Sequence, residues 1–155
     1  MDPEILGALF RALAEERVRY VLIGGLAVGA LGLSRATRDV DLFLDPEPSN
    51  VEAARHALER VFSDPAVGEI TPAALDEYGL IRYGPPEHDF VIDLTTRIGE
   101  MFRFADLEWQ PIELFGVAVP VATARTLIRM KRETVRPQDR ADVLRLRERF
   151  GIEED

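Results

Sequence analysis

The sequence predicts a mixed α/β domain, and three observations lead there. Some segments repeat apolar residues at helical spacing, while others are short β-branched or alternating runs closed by Gly or Pro. These segments follow the order helix, strand, helix, strand, helix, strands and two helices, which is not a regular βαβ series. No Ser/Gly linker, internal repeat or low-complexity tract interrupts the 155 residues, so a single domain is expected.

Each element has its own warrant. Residues 4–17 place Ile5, Leu6, Leu9, Phe10 and Leu13 on one face of an amphipathic helix. Tyr20–Ile23 is a β-branched and aromatic run stopped by Gly24-Gly25, which fits a buried strand. Residues 26–31 read as a short apolar helix ending near Gly32, and the alternation over 38–45, closed by Pro46 and Pro48, reads as a second strand. Ser49 or Asn50 is the expected cap of a helix running to about residue 60, with Val51, Ala54, Leu58 and Val61 on its inner face. Pro65, Gly68 and Pro72 break any period over 63–77 and leave that stretch ambiguous. Residues 79–83 and 88–95 look like paired strands around Gly84-Pro85-Pro86, and 107–114 with 117–121 like a hairpin turning at Phe115-Gly116. A helix is expected over 123–135, broken by Pro137, and a last one over 138–150, stopped by Gly151.

Composition excludes several classes. With 46% hydrophobic and 30% charged residues the chain is an ordinary globular sequence, able to bury roughly 68–70% of its unfolded surface. No apolar run reaches the ~18 residues of a membrane span, and the acidic opening Met1-Asp2-Pro3-Glu4 lacks the basic flank of a signal peptide. The absence of cysteine removes disulfides, thiolate metal sites and a cysteine nucleophile. A cytoplasmic protein is expected. Nineteen basic against twenty-eight acidic residues give a net charge of −9, so duplex DNA is not an expected partner. Arg125, Arg129, Lys131, Arg132, Arg136, Arg140, Arg145, Arg147 and Arg149 nevertheless form a basic stretch, either a solvated helix face or a surface for a phosphate-bearing ligand.

Asp39 and Asp41 are the first candidates for chemistry. Two positions apart on a strand, they share a face, while Val40, Leu42 and Leu44 take the other. Oxygen-only ligands, without Cys or paired His, suit Mg²⁺ or Mn²⁺; the alternative is a solvated strand face. Asp93 interrupts the apolar run Phe90-Val91-Ile92-Asp93-Leu94, so it either faces water at an edge or meets partners. If its strand lies beside that of Asp39 and Asp41, three carboxylates converge as a divalent-ion site for a triphosphate requires. Gly24-Gly25 would let backbone N–H groups approach a phosphate, or would simply make a turn. His56 and His88 do not form a metal pair, and Ser34 has no visible triad partners.

The pattern Ile23-Gly24-Gly25, then Arg35-x-Thr37-Arg38-Asp39-Val40-Asp41-Leu42, then Ile92-Asp93-Leu94, resembles the nucleotidyltransferase superfamily of DNA polymerase β type. The wording R-x-T-R-D-V-D is most similar to the branch of AbiEii-like and small antibiotic nucleotidyltransferases. The likeness extends more loosely to Lys131 and Asp139-x-x-Asp142. This resemblance implies a nucleotidyltransferase fold, a small mixed sheet flanked by helices, with a core over about 18–121 and C-terminal helices over about 123–150. It implies Asp39, Asp41 and Asp93 as metal ligands and catalytic acids for Mg²⁺ or Mn²⁺. Asp93 would also meet the acceptor hydroxyl, with Gly24, Gly25, Arg38 and Lys131 at the nucleotide. The implied reaction moves a nucleoside monophosphate from a triphosphate to an acceptor hydroxyl on a small molecule, a protein or an RNA end. A rival reading is a non-catalytic or antitoxin-type partner in a toxin–antitoxin pair.

Overall fold

The computed structural model describes residues 1–98, 102–131 and 137–153. Asp2 starts helix α1 (Pro3–Glu15) by accepting the Glu4 N–H at 2.9 Å, with Pro3 at the first helical position. Leu6, Leu9, Phe10 and Leu13 of the expected face are buried, whereas Ile5 is partly exposed. Strand β1 (Tyr20–Ile23) is buried throughout and matches its expected limits.

Helix α2 (Gly24–Ala30) begins two residues earlier than expected, so the glycine pair forms its first turn rather than a preceding loop. Strand β2 (Asp39–Leu44) follows, then α3 (Pro48–Phe62). Neither Ser49 nor Asn50 caps α3, because Pro48 already occupies its start. Asn50 instead turns inward: its side chain accepts the Arg19 N–H at 2.7 Å and donates to the carbonyls of Arg19 and Asp45 at 2.9 Å each. The ambiguous stretch resolves into a 3₁₀ turn (Pro65–Glu69) and helix α4 (Pro72–Tyr78), each entered through a proline and capped by Asp64 and Thr71 respectively. The prolines that break periodicity there are helix starts.

Strands β3 (Leu80–Tyr83) and β4 (Val91–Thr95) form the expected antiparallel pair. A two-residue pair, β5 (Arg97–Ile98) with β6 (Phe102–Arg103), was not foreseen. The hairpin β7 (Trp109–Leu114) and β8 (Val117–Ala122) turns at Phe115-Gly116, both with positive φ. Helix α5 (Ala124–Lys131) confirms the start of the penultimate helix; its expected continuation to 135 lies outside the described residues. Pro137 opens α6 (Pro137–Phe150) rather than interrupting a helix.

Six strands form one mixed sheet in the order β3-β4-β2-β1-β8-β7, with β2/β4 and β1/β8 parallel and the remaining neighbours antiparallel. Helix α1 packs on α3, α2 lies against β1 and β2, α5 reaches α2, and α6 packs on α5. Phe10, Leu22, Leu42, Phe43, Leu44 and Leu58 are fully buried in the core. The polar-to-apolar change along one face of β2, from Asp39 and Asp41 to Phe43, puts the acids at one end of the sheet. No described helix is long and apolar enough to cross a membrane.

Candidate active site

Sheet register builds the site. Asp41 on β2 stands beside Asp93 on β4, and Asp93 beside Arg82 on β3. Directly paired residues project to the same face, so Arg82, Asp93 and Asp41 form a row across three strands, with Asp39 one pleat further along β2. The parallel β2/β4 pairing is the neighbour relationship the three-acid expectation required.

Electrostatics in this row are strained. Burial, the charges of Asp93 and Asp39 and a hydrogen bond shared with Asp93 push the Asp41 carboxyl up to about 7, while Lys131 pulls in the opposite direction. Arg82 Nε and Nη2 donate to Asp93 Oδ1 and Oδ2 at 2.9 and 3.1 Å, a bidentate pair. Among the described residues, no three acidic or imidazole side chains already stand as a ligand set for a metal ion. The donor chemistry still fits a hard cation. All three acids offer oxygens, and two are direct neighbours on adjacent strands.

The glycine pair has a steric role that sequence reasoning did not supply. Gly24 has φ of +74°, and a β-carbon there would collide with Asp41 Oδ2. At Gly25 a β-carbon would lie 3.1 Å from Thr37 Cβ and 3.2 Å from Arg35 Nη1. Thr37 Oγ1 accepts the Asp39 N–H at 3.1 Å and so fixes the start of β2.

The basic side of the site comes from α5, α6 and the loop before β2. Lys131 Nζ donates to Asp139 Oδ1 at 2.7 Å and lies 3.5 Å from Asp142 Oδ2. Asp142 has no exposed surface; it also accepts from Arg35 Nε at 3.2 and 3.3 Å and from Gln138 Nε2 at 3.1 Å. Asp142 is therefore a buried counter-ion for two cations. Sequence reasoning missed Arg82 as well. Its signal was a charged residue inside the strand that pairs with Asp93, legible only once the register was known.

Ile23, Gly24, Gly25, Arg35, Thr37, Arg38, Asp39, Asp41, Arg82, Asp93, Lys131, Gln138 and Asp139 line one cavity of about 460 Å³. The residues that the resemblance assigned to metal and nucleotide thus line one space, whereas of the described arginines and lysines in the basic stretch over 125–149 only Lys131 does. His88 does not; its ring packs against Phe62 and Phe90. His56 is exposed.

The mixed sheet, with paired acids beside a Gly-Gly helix start, is a fold of the nucleotidyltransferase type. More particularly, the chain belongs to the AbiEii nucleotidyltransferase family, whose model, described as the nucleotidyl transferase AbiEii toxin of a type IV toxin–antitoxin system, matches residues 7–149. Among solved structures it is similar in fold to the solution structure of the antibiotic-resistance factor ANT(2'')-Ia. That likeness has a TM-score of 0.55 at 14% identity, covering 96% of this chain and 84% of that one. The crystal structure of ANT(2'')-Ia with adenylyl-2''-tobramycin gives 0.53 at 16% identity, over 93% and 86%. No curated protein matches the chain significantly.

Proposed function

We propose that this protein transfers a nucleoside monophosphate from a nucleoside triphosphate to an acceptor hydroxyl, using a divalent cation at Asp39, Asp41 and Asp93. The observation that carries the reading is the Asp41–Asp93 pairing across β2 and β4 inside a cavity that also holds Arg35, Arg38 and Lys131. Bound Mg²⁺ or Mn²⁺ would supply charge neutralisation for the triphosphate and the leaving pyrophosphate.

The chain's own residues do the rest. Gly24 leaves room for the Asp41 carboxylate, and the Gly24-Gly25 backbone borders the cavity where phosphates would lie. Arg38, on the lip of the cavity, offers a guanidinium to the phosphates. Lys131, held by Asp139, offers a positioned ammonium. The acceptor oxygen bonds to the α-phosphorus, the α–β bridging bond breaks, and its electron pair leaves with pyrophosphate. The acceptor's proton passes to a carboxylate oxygen of Asp93.

Family membership supports a place for this protein in a two-gene toxin–antitoxin system, and with it a protein partner. The adenylyl-tobramycin in the ANT(2'')-Ia complex supports a small hydroxylated acceptor as the first to try. The test is incubation with each labelled nucleoside triphosphate and Mg²⁺, reading pyrophosphate release and label transfer. Turnover that Asp41→Ala abolishes is the expected result. No release with any triphosphate across acceptor classes would overturn the proposal.

A further inference from the structure

The pairing of Arg82 with Asp93 bears on how the acidic site fills. Both guanidinium contacts fall on both oxygens of a carboxylate proposed as a metal ligand. The two partners are not equally fixed. The Asp93 side chain is 9% exposed and comes from a strand between two others, whereas the Arg82 side chain is 64% exposed and comes from an edge strand. The arginine is the partner free to swing, since its alternative positions lie in solvent over the same cavity it already lines. A cation arriving at Asp93 meets a guanidinium already neutralising that carboxylate. Displacing it costs the bidentate pair unless another anion takes its place, since Asp39 and Asp41, which also attract Arg82, would be committed to the ion.

We infer that Arg82 couples metal binding to triphosphate binding. It holds Asp93 in the ligand-free protein, gives Asp93 up to a divalent ion, and regains an anionic partner when it turns to the phosphates of the nucleotide. This rests on the proposed metal-dependent reaction and adds to it a positioning residue and an order of events: metal alone binds weakly, and metal with nucleotide binds well. Coupling of this kind is reciprocal, so the same residue penalises one state and favours the other.

The opposite signs make the test. Mn²⁺ alone, and Mn²⁺ with an α,β-methylene nucleoside triphosphate, are titrated into the wild type, Arg82→Gln and Arg82→Lys, with binding read by calorimetry and electron paramagnetic resonance. Asp41→Asn, which should bind Mn²⁺ in neither background, identifies the site being measured. Expected is several-fold tighter Mn²⁺ binding in Arg82→Gln together with several-fold weaker binding of the Mn²⁺–nucleotide complex, Arg82→Lys lying between. A purely structural role would weaken both. If the wild type binds Mn²⁺ and Arg82→Gln binds it no tighter, the coupling is wrong and the metal site stands. If the wild type binds neither Mn²⁺ nor its nucleotide complex, the metal-dependent reading fails and the coupling falls with it.

Discussion

Gly24 and Asp41 fill one space between them: the carboxylate of Asp41 lies where any β-carbon at position 24 would sit, and the backbone at 24 is left-handed with φ of +74°. The start of α2 and the acid on β2 are thus matched by shape before any ligand is considered.

Gly24→Ala tests that match. A non-glycine residue in the left-handed region costs of order 1–3 kcal/mol, and here the methyl must also push Asp41 aside. A Tm several degrees below wild type, with a reduced Mn²⁺-induced thermal shift, is the expected outcome. Equal stability and an unchanged metal response would show that the two residues are not in register as described.

Asp41→Asn should act in the opposite direction on the metal-free protein. Burial and the neighbouring acids disfavour the charge on Asp41, so at pH 8 its ionised form is a burden carried by the fold. Removing that charge should stabilise the protein in EDTA, by on the order of 2 kcal/mol, while eliminating stabilisation by Mn²⁺ and all nucleotidyl transfer. Denaturant melts in EDTA and in Mn²⁺ read both signs, and a variant less stable than wild type in EDTA would contradict the electrostatic account.

Much of this site was legible because its signals are local. The alternation over residues 38–45 put Asp39 and Asp41 on one face, and Asp93 stood out as an acid in an apolar run. Buried Val40, Leu42 and Leu44 confirm that pattern. What stayed hidden depends on register and packing, which periodicity does not encode. Arg82 acquires meaning only from standing opposite Asp93, and Asp142 only from the docking of α6 over Arg35 and Lys131. Asn50 looked like a helix cap because of its residue type, yet Pro48 takes the helix start and frees the amide to tie Arg19 to Asp45. Gly24-Gly25 read as a turn or phosphate loop, while its steric relation to Asp41 needed a third dimension.

Asp45 provides a pH test away from the cavity. Burial raises its carboxyl, but the Glu47 N–H and the Arg19 guanidinium outweigh that and hold it below the ordinary carboxylate range. A depressed folded-state value means that the contribution to stability is present above the unfolded value of about 3.9 and is lost as pH falls through the folded one. Asp45→Asn should therefore lower Tm at pH 7, and the gap from wild type should close progressively below about pH 4. A gap that is constant with pH would assign the effect to packing instead.

Asp142 ties the C-terminal helix to Arg35 and Lys131. It is fully buried, Arg35 Nε approaches both its oxygens at 3.2 and 3.3 Å, and Lys131 stands 3.5 Å away. A buried ion pair adds little over an apolar replacement, but removing one partner strands the other charges at a cost of about 3–5 kcal/mol. Asp142→Ala removes the carboxylate that Arg35 and Lys131 share, so the helix should loosen from α5 and the Arg35 end of the cavity. Urea denaturation should show a loss of that size, and amide exchange should rise first in α6. The double variant Arg35→Met with Asp142→Leu removes a charge from each side and should recover part of the loss, because what destabilises the single variant is the unpaired guanidinium rather than the missing carboxylate itself. A double variant no more stable than Asp142→Ala would show that the two residues do not act as a pair.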